Sequence, residues 1–188
     1  MFAAVAYHVG VPLAGDLRMK ARFDELYARH GPELLRYLRR LTGSMEDAGD
    51  LLQETFLRLW EQPAPEDIEN VRAWLFRVAA NLAQNQRRSE QRLRRRERAS
   101  IDVADPVSSS EEQLEARRRV EKALASVDDR GRRVLLLFAE GFTYREIAAI
   151  TGIEPGYVGV LMQRARAEFR RRVEGVHAEP VPFKRRLS

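Results

Sequence analysis

The sequence predicts an all-α protein with two small helical domains joined by a flexible linker, the second domain containing a helix-turn-helix. Apolar residues recur at three- and four-residue steps through most of the chain, and capping signals precede the periodic segments. A polar stretch with a proline, SIDVADPVSSS, interrupts the period in the middle. We therefore predict a disordered leader at 1–20, a first domain at 21–98, a linker at 99–110, a second domain at 111–175 and a loose tail at 176–188.

The composition excludes several classes of function. The 188 residues include 33 basic and 28 acidic side chains, which gives a formal net charge of +5. There is no cysteine, which excludes disulfides, thiolate metal sites and a cysteine nucleophile, and the 3 scattered histidines offer no cluster for zinc. No apolar run approaches the ~20 residues that span a bilayer. We expect a soluble, cytoplasmic protein without catalytic residues, metal or cofactor.

Three amphipathic helices are predicted for the first domain. Helical spacing begins at Phe23 and is interrupted at Gly31-Pro32 before it resumes. Ser44 is placed to cap the second helix, and Asn70 is placed to cap the third. The core-facing residues expected on the second helix are Ala48, Leu51, Leu52, Thr55, Phe56 and Leu59. Those expected on the third are Val71, Trp74, Leu75, Val78, Ala79 and Leu82.

The second domain contains a helix-turn-helix candidate over Thr143–Arg166. Thr143 and Glu146 fit a capping box, Ala148 allows two helices to cross closely, and Gly152 suits the tight turn. Apolar residues on one side of the following helix would leave its other side free for a major groove. An ordinary helical hairpin is the alternative interpretation.

Three acidic residues on the second predicted helix indicate a binding surface for a positively charged partner. Asp47, Asp50 and Glu54 share one side of the helix, where like charges repel slightly. A basic protein surface is the interpretation we favour, because carboxylates from one helix alone form a weak metal site. A solvated acidic face is the alternative.

The third helix carries side chains that can bind nucleic acid. They occupy positions outside the predicted core and can donate hydrogen bonds to phosphates and to base edges. A plain solvated face is the alternative. The residues are Arg72, Arg77, Asn81, Gln84, Asn85, Arg87 and Arg88.

The motifs together resemble one known family. Residues 48–60, AGDLLQETFLRLW, resemble the polymerase-binding helix of bacterial sigma factors of the extracytoplasmic-function (ECF) class. Residues 71–82 are similar to the promoter-melting helix of that class, and residues 133–148 to its carboxy-terminal domain. Two independent motif sets occur in the family's order and spacing. The resemblance covers about residues 22–173.

The resemblance implies a non-catalytic specificity subunit that directs core RNA polymerase to promoters and assists melting, for a stress or environmental response. Its partners would be core polymerase, duplex promoter DNA and the melted non-template strand; the class is commonly held inactive by an anti-sigma factor, and no membrane insertion is implied. Polymerase binding would fall to Asp50, Gln53 and Glu54. Minus-ten DNA binding would fall to Arg72, Arg77, Asn81, Asn85, Arg87 and Arg88. Minus-thirty-five binding would fall to Tyr157, Val160, Gln163, Arg164 and Arg166.

One departure from the family concerns the start of the recognition helix. Members often carry Thr, a basic residue, Ser and Arg there, whereas this chain has Tyr157, Gly159, Val160 and Leu161. We therefore expect a minus-thirty-five contact that depends on phosphates and DNA shape more than on base edges.

Two other functions remain as alternatives. A free-standing helix-turn-helix regulator would use its first domain to bind a ligand or to dimerise. A metal-dependent nuclease would need Asp47, Asp50 and Glu54 as its metal site, and it has little support from the sequence.

Overall fold

The computed structural model describes residues 14–62, 68–94 and 111–174, which form seven α-helices without a strand. The predicted all-α class is therefore confirmed. The linker at 99–110, the tail at 176–188 and residues 1–13 lie outside the described residues. The helices are α1 (Ala14–Thr42), α2 (Met45–Trp60), α3 (Val71–Arg94), α4 (Glu111–Ser126), α5 (Asp129–Ala139), α6 (Tyr144–Thr151) and α7 (Pro155–Val173).

Helix α1 is longer and more continuous than its sequence predicts. It begins at Ala14, inside the segment expected to be a disordered leader, and the expected interruption at Gly31-Pro32 is absent. Proline normally disfavours helix because its ring meets the preceding residue and removes one amide donor. Here the preceding residue is a glycine without a Cβ, and Pro32 itself is exposed. The buried residues that follow, starting at Leu34, hold the second half of the helix in place.

Helix α2 follows its prediction closely. The Ser44 hydroxyl accepts a hydrogen bond from the Asp47 amide at 3.2 Å, which confirms the predicted cap. All the residues predicted to face the core are buried, because this helix packs on its neighbours with one face only. They are Ala48, Leu51, Leu52, Thr55, Phe56 and Leu59.

Helix α3 has two buried faces where the sequence predicts one. The Asn70 cap is confirmed, since its Oδ1 accepts from the Ala73 amide at 2.9 Å. Leu75 and Ala79 are buried as expected. Of the other predicted core residues, Val71, Trp74, Val78 and Leu82 are only half-buried, whereas Phe76, Ala80 and Ala83 are buried without having been predicted. The prediction was incomplete because α3 also packs against the second domain.

The helix-turn-helix of α6 and α7 is confirmed in its local details. Thr143 Oγ1 accepts from the Glu146 amide at 3.3 Å while Glu146 Oε2 accepts from the Thr143 amide at 2.8 Å, which completes the capping box. Gly152 ends α6 with a φ of 69°, a left-handed conformation that favours glycine. Ala148 is buried where the helices cross. Val120 and Phe138, by contrast, are apolar residues of this domain that are exposed.

The two domains pack against each other. Helix α3 lies on α6, and α1 lies on α5. The rings of Phe76 and Phe142 meet at 4.9 Å between centroids. The Glu140 carboxylate, which is almost fully buried, lies 3.7 Å from Arg40 Nη1 and 3.9 Å from Arg36 Nη2. The joint therefore combines aromatic packing with charge pairing.

Candidate nucleic-acid and protein interfaces

The outer face of α2 presents unpaired polar groups next to an apolar side chain. Asp50 and Gln53 are exposed, and their side chains have no hydrogen bond or ion pair to any other described residue. Glu54 pairs only with Arg58 one turn on, at 2.9 Å, and that pair is half exposed. Leu57 lies one turn beyond Gln53 and is 49% exposed. Uncommitted polar groups beside an exposed leucine are suited to binding another protein.

Asp47 differs from the other two carboxylates of α2 because its partner lies on another helix. Its Oδ1 accepts a hydrogen bond from Gln86 Nε2 at 2.7 Å, so this side chain joins α2 to α3. The acidic group that the sequence suggests is thus divided. Asp47 holds two helices together, and Asp50 and Glu54 face outward.

Four of the six predicted minus-ten residues form one exposed stripe on α3. Arg77, Asn81, Asn85 and Arg88 recur at steps of four, four and three residues, which places them on a single helix face. All four are exposed, and their side chains make no hydrogen bond or ion pair within the described part of the chain. Two amides between two guanidinium groups can serve bases and phosphates on one strand.

Arg72, the fifth predicted minus-ten residue, is held between the two domains. Its Nε and Nη2 each donate to the Glu33 carboxylate at 3.0 Å, and Nη2 also donates to the Glu140 carbonyl oxygen at 2.6 Å. Its guanidinium carbon lies 4.1 Å from the centre of the Phe142 ring. Burial would raise the pKa of Glu33, but hydrogen bonds from Arg72 and His30 outweigh it, and the pKa is lowered.

Arg87, the sixth, also faces the second domain. Its Nη1 donates to the Asp129 carboxylate at the start of α5. Arg87 lies on the same face of α3 as Arg72, and the buried residues Phe76 and Ala83 lie between them. This face is absent from the sequence-based prediction for α3. Its signal was a second set of apolar residues at helical spacing, Phe76, Ala80 and Ala83.

The predicted minus-thirty-five residues lie on the exposed side of α7. Val160 and Gln163 are exposed opposite the buried stripe that includes Val158. Tyr157 and Arg164 flank them, and Arg164 Nη1 lies 3.4 Å from the Tyr157 hydroxyl oxygen. The structure therefore brings four of the five together.

Arg166 lies on a different side of α7. Its guanidinium carbon is 4.7 Å from the centre of the Phe138 ring. Phe138 in turn meets Tyr144 edge to face at 5.9 Å, and both rings are exposed. This aromatic pair is a surface feature of the second domain that sequence analysis did not identify.

No metal centre is found among the residues that the structure describes: no three His, Asp or Glu side chains there come together as a ligand set. In particular, Asp47, Asp50 and Glu54 do not converge on a common point. Within the same ranges, none of the helices combines the length and apolar character needed to cross a bilayer.

Comparison with known proteins gives matches over both domains. Residues 26–93 match the sigma-70 region 2 family, and residues 117–169 match the sigma-70 region 4 family. The ECF RNA polymerase sigma factor SigL of Mycobacterium tuberculosis is 34% identical over 155 residues, 79% of this chain and 85% of that protein.

Two solved structures have the same fold. One is the sigma factor RpoE of Bartonella quintana in complex with the anti-sigma factor NepR, with a TM-score of 0.71, 26% identity, and coverage of 84% of this chain and 99% of that one. The other is CnrH in complex with the cytosolic domain of CnrY, with a TM-score of 0.62, 28% identity, and coverage of 83% and 90%.

Proposed function

Because this chain belongs to the ECF class of RNA polymerase sigma factors, we propose that three of its surfaces each have a separate binding role in transcription initiation. The protein directs core RNA polymerase to promoters. The outer face of α2 docks on polymerase, the exposed stripe on α3 holds the opened minus-ten strand, and α7 enters the minus-thirty-five groove. A free-standing regulator is not favoured by the comparisons.

The exposed stripe on α3 carries this proposal. Arg77, Asn81, Asn85 and Arg88 are aligned, and their side chains have no hydrogen bond or ion pair to the residues that the structure describes, although polar side chains on a helix readily pair with neighbours one turn away. An unpaired strand offers both phosphates and exposed base edges, which match the two kinds of side chain in the stripe. A duplex also offers phosphates, but the Watson–Crick edges of its bases are already occupied by pairing.

The outer face of α2 supports the docking role. Asp50, Gln53 and Glu54 project from a helix whose opposite face is buried in the first domain. Protein interfaces combine a desolvated apolar contact with a polar rim, and Leu57 beside these three residues provides that combination. The cognate surface on polymerase is therefore expected to be basic around an apolar pocket.

Arg72 and Arg87 can bind DNA in this proposal only after they are released from the second domain. Both are engaged across the domain interface, Arg72 with Glu140 and Arg87 with Asp129. They reach minus-ten DNA only when the second domain moves away from α3. We propose that docking on polymerase separates the domains and frees these two arginines for DNA.

The partners and the site of action follow from the same family. The similarity to RpoE extends over both domains of a structure solved with an anti-sigma factor, which supports control of this chain by a protein of that kind. The protein would act in the cytoplasm with polymerase, without catalytic residues or membrane insertion.

Run-off transcription with core polymerase and a promoter library tests the function. We expect promoter-specific transcripts only when the protein is added. Transcripts should be lost for Glu54→Lys, which reverses the charge of the docking face. Glu25→Lys is the matched control, because Glu25 also pairs with an arginine four residues on, Arg29, at 2.8 Å, but lies on α1.

The outcomes discriminate between the functions. Loss of core binding in Glu54→Lys but not in Glu25→Lys supports the α2 surface. Specific binding to duplex DNA without polymerase, combined with an absence of transcripts from every promoter, would indicate a free-standing regulator instead.

A further inference from the structure

A cleft between the two domains is lined by arginines from both. It has a volume of about 240 Å³ and lies between the end of α1, α3 and α5. Arg87 and Arg88 come from α3, and Arg130 and Arg133 come from α5. Asp129 supplies the carboxylate of the lining.

The charges in this cleft are not balanced. Asp129 pairs with Arg87. Arg133 is only 7% exposed, and the acceptors of its hydrogen bonds are neutral: Gln84 Oε1 at 2.8 Å and the Asp129 carbonyl oxygen at 3.3 Å. The guanidinium groups of Arg88 and Arg130 have neither hydrogen bond nor ion pair within the described ranges.

This excess of positive charge destabilises the charged form of the buried Arg133 guanidinium. Burial lowers its pKa, and the charges of Arg130 and Arg88 lower it further, against the opposing effects of Tyr37 and Asp129. A charged group removed from water is stable only when it is paired or well hydrogen-bonded. An anion placed among these arginines would supply the missing charge.

We propose that this cleft binds a diphosphate group, either free or as part of a nucleotide. Guanidinium groups bind phosphate oxygens through two parallel hydrogen bonds, and the three arginines left over from the Asp129 pair can surround such a group. The cleft is smaller than the ~300–1,000 Å³ typical of drug-sized ligands. It would therefore hold the phosphates, with any nucleoside outside.

The ligand would join the domains. Two of the arginines belong to each domain, so a bound diphosphate is held completely only while the domains are packed together. A ligand that binds one arrangement stabilises that arrangement. Because Arg87 and Arg88 also belong to the predicted minus-ten surface, the ligand opposes DNA binding by the same residues.

Isothermal titration calorimetry of the full chain with pyrophosphate tests the proposal without polymerase or promoter DNA, so its result is independent of the sigma-factor assignment. Arg88→Gln and Arg130→Gln remove one exposed guanidinium from each domain. Arg118→Gln on α4 is the matched control, since this arginine is exposed and is not part of the cleft. Sulfate at equal ionic strength controls for general screening.

We expect pyrophosphate to bind one site, with sulfate much weaker. Each cleft variant should lose about tenfold in affinity, as for one charge-assisted hydrogen bond, while Arg118→Gln binds as the unaltered protein does. Adenosine diphosphate distinguishes the source: tighter binding than pyrophosphate indicates a nucleotide, and equal binding indicates the free diphosphate.

Two results would overturn the proposal. One is the absence of pyrophosphate binding, or binding that both cleft variants retain. The other is that a single-stranded oligonucleotide is the only polyanion whose binding depends on Arg88 and Arg130. The cleft arginines would then belong to the DNA surface alone.

Discussion

Arg72 of the first domain donates a hydrogen bond to the carbonyl oxygen of Glu140 in the second, at 2.6 Å, while it also holds the Glu33 carboxylate. One guanidinium therefore satisfies groups on both sides of the joint. Arg72→Ala should reduce the free energy of unfolding by about 1–3 kcal/mol, because it leaves a half-buried carboxylate and a carbonyl without this donor. Small-angle scattering should show a larger radius of gyration as the domains separate.

An exposed ion pair provides the control for this substitution. Arg29→Ala removes the partner of Glu25 on the surface of α1, where both side chains are 63% exposed. Pairs of this kind contribute about 0–1 kcal/mol. Equal destabilisation by the two substitutions, with no change in the radius of gyration, would contradict the joining role of Arg72.

Acidification should weaken the same cluster. Burial raises the pKa of Glu33, but hydrogen bonds from Arg72 and His30 prevail and place it below the ordinary value of 4.5. A carboxyl group whose pKa is lowered by folding contributes stability in full above that ordinary value. The contribution is lost as the pH falls through the lowered pKa.

Urea denaturation over a pH series measures this contribution. We expect the free energy of unfolding to fall less steeply below about pH 4.5 in Glu33→Gln than in the unaltered protein. Glu115→Gln is the control, because Glu115 is exposed and pairs only with Arg119 one turn on. Parallel curves for the unaltered protein and Glu33→Gln would show that Glu33 does not contribute.

Tyr37→Phe should stabilise the protein. The ring is fully buried beside Phe76, and its hydroxyl oxygen has no hydrogen-bond partner among the described residues. An unsatisfied buried hydroxyl costs about 1 kcal/mol or more, and phenylalanine removes it with the ring unchanged. Thermal denaturation should give a higher Tm, whereas Tyr27→Phe at an exposed ring should leave it unchanged. A lower Tm for Tyr37→Phe would contradict the expectation.

Replacement of three glycines by alanine should change the stability of the protein in three different ways. At Gly159 a Cβ would lie 3.8 Å from Tyr144 Cε2, an ordinary contact, so Gly159→Ala should stabilise α7 by about 0.5–1 kcal/mol. Gly152→Ala should destabilise by about 1 kcal/mol because φ is +69°. Gly131→Ala should destabilise by about 1–3 kcal/mol, since its Cβ would meet Ala165 Cβ at 2.9 Å.

Chemical denaturation of the three variants gives the order directly. Helicity measured by circular dichroism should rise or stay constant only in Gly159→Ala. If Gly159→Ala proved destabilising, the backbone of α7 would have to differ at this position from an ordinary helix.

Recognition of the minus-thirty-five element should depend weakly on bases. Arg164→Ala should weaken binding by a similar factor on all promoters. It should also reduce the steepness of the plot of log affinity against log salt concentration by about 1, as expected for a lost phosphate contact. Val160→Ala and Gln163→Ala should leave the choice of promoter unchanged. Binding measurements on a panel of single-base variants check all three.

One result would contradict this shape-dominated readout. A sharp loss for Gln163→Ala at a single base position would indicate direct hydrogen bonding to a base edge. The retained Tyr157 hydroxyl, 3.4 Å from Arg164 Nη1, would then be the next side chain to test.

The sequence predicts elements that have one buried face and fails where an element has two. Every core residue predicted for α2 is buried, because this helix packs in one direction. On α3 the same reasoning misses Phe76, Ala80 and Ala83, since periodicity reveals apolar faces but does not state which partner covers them.

The same limit of prediction from local sequence applies to the candidate sites. Arg77, Asn81, Asn85 and Arg88 were predicted as one surface and lie on one exposed stripe, because helical spacing determines which side chains share a face. Arg72 was grouped with them by residue type. Its engagement with Glu33 and Glu140 depends on residues 39 and 68 positions away along the chain, and no local pattern reveals contacts at such separations.

The hydrogen bond between Gln86 and Asp47 has a mechanical consequence. It ties α3 to α2, the helix proposed to dock on polymerase, and the buried core of the first domain lies between them. The face of α2 proposed to dock on polymerase and the stripe of α3 proposed to hold the opened strand are therefore parts of one packed unit. If both proposed roles hold, a displacement of α2 on polymerase would also move the stripe of α3, and binding energy gained on polymerase would act as force on the bound strand.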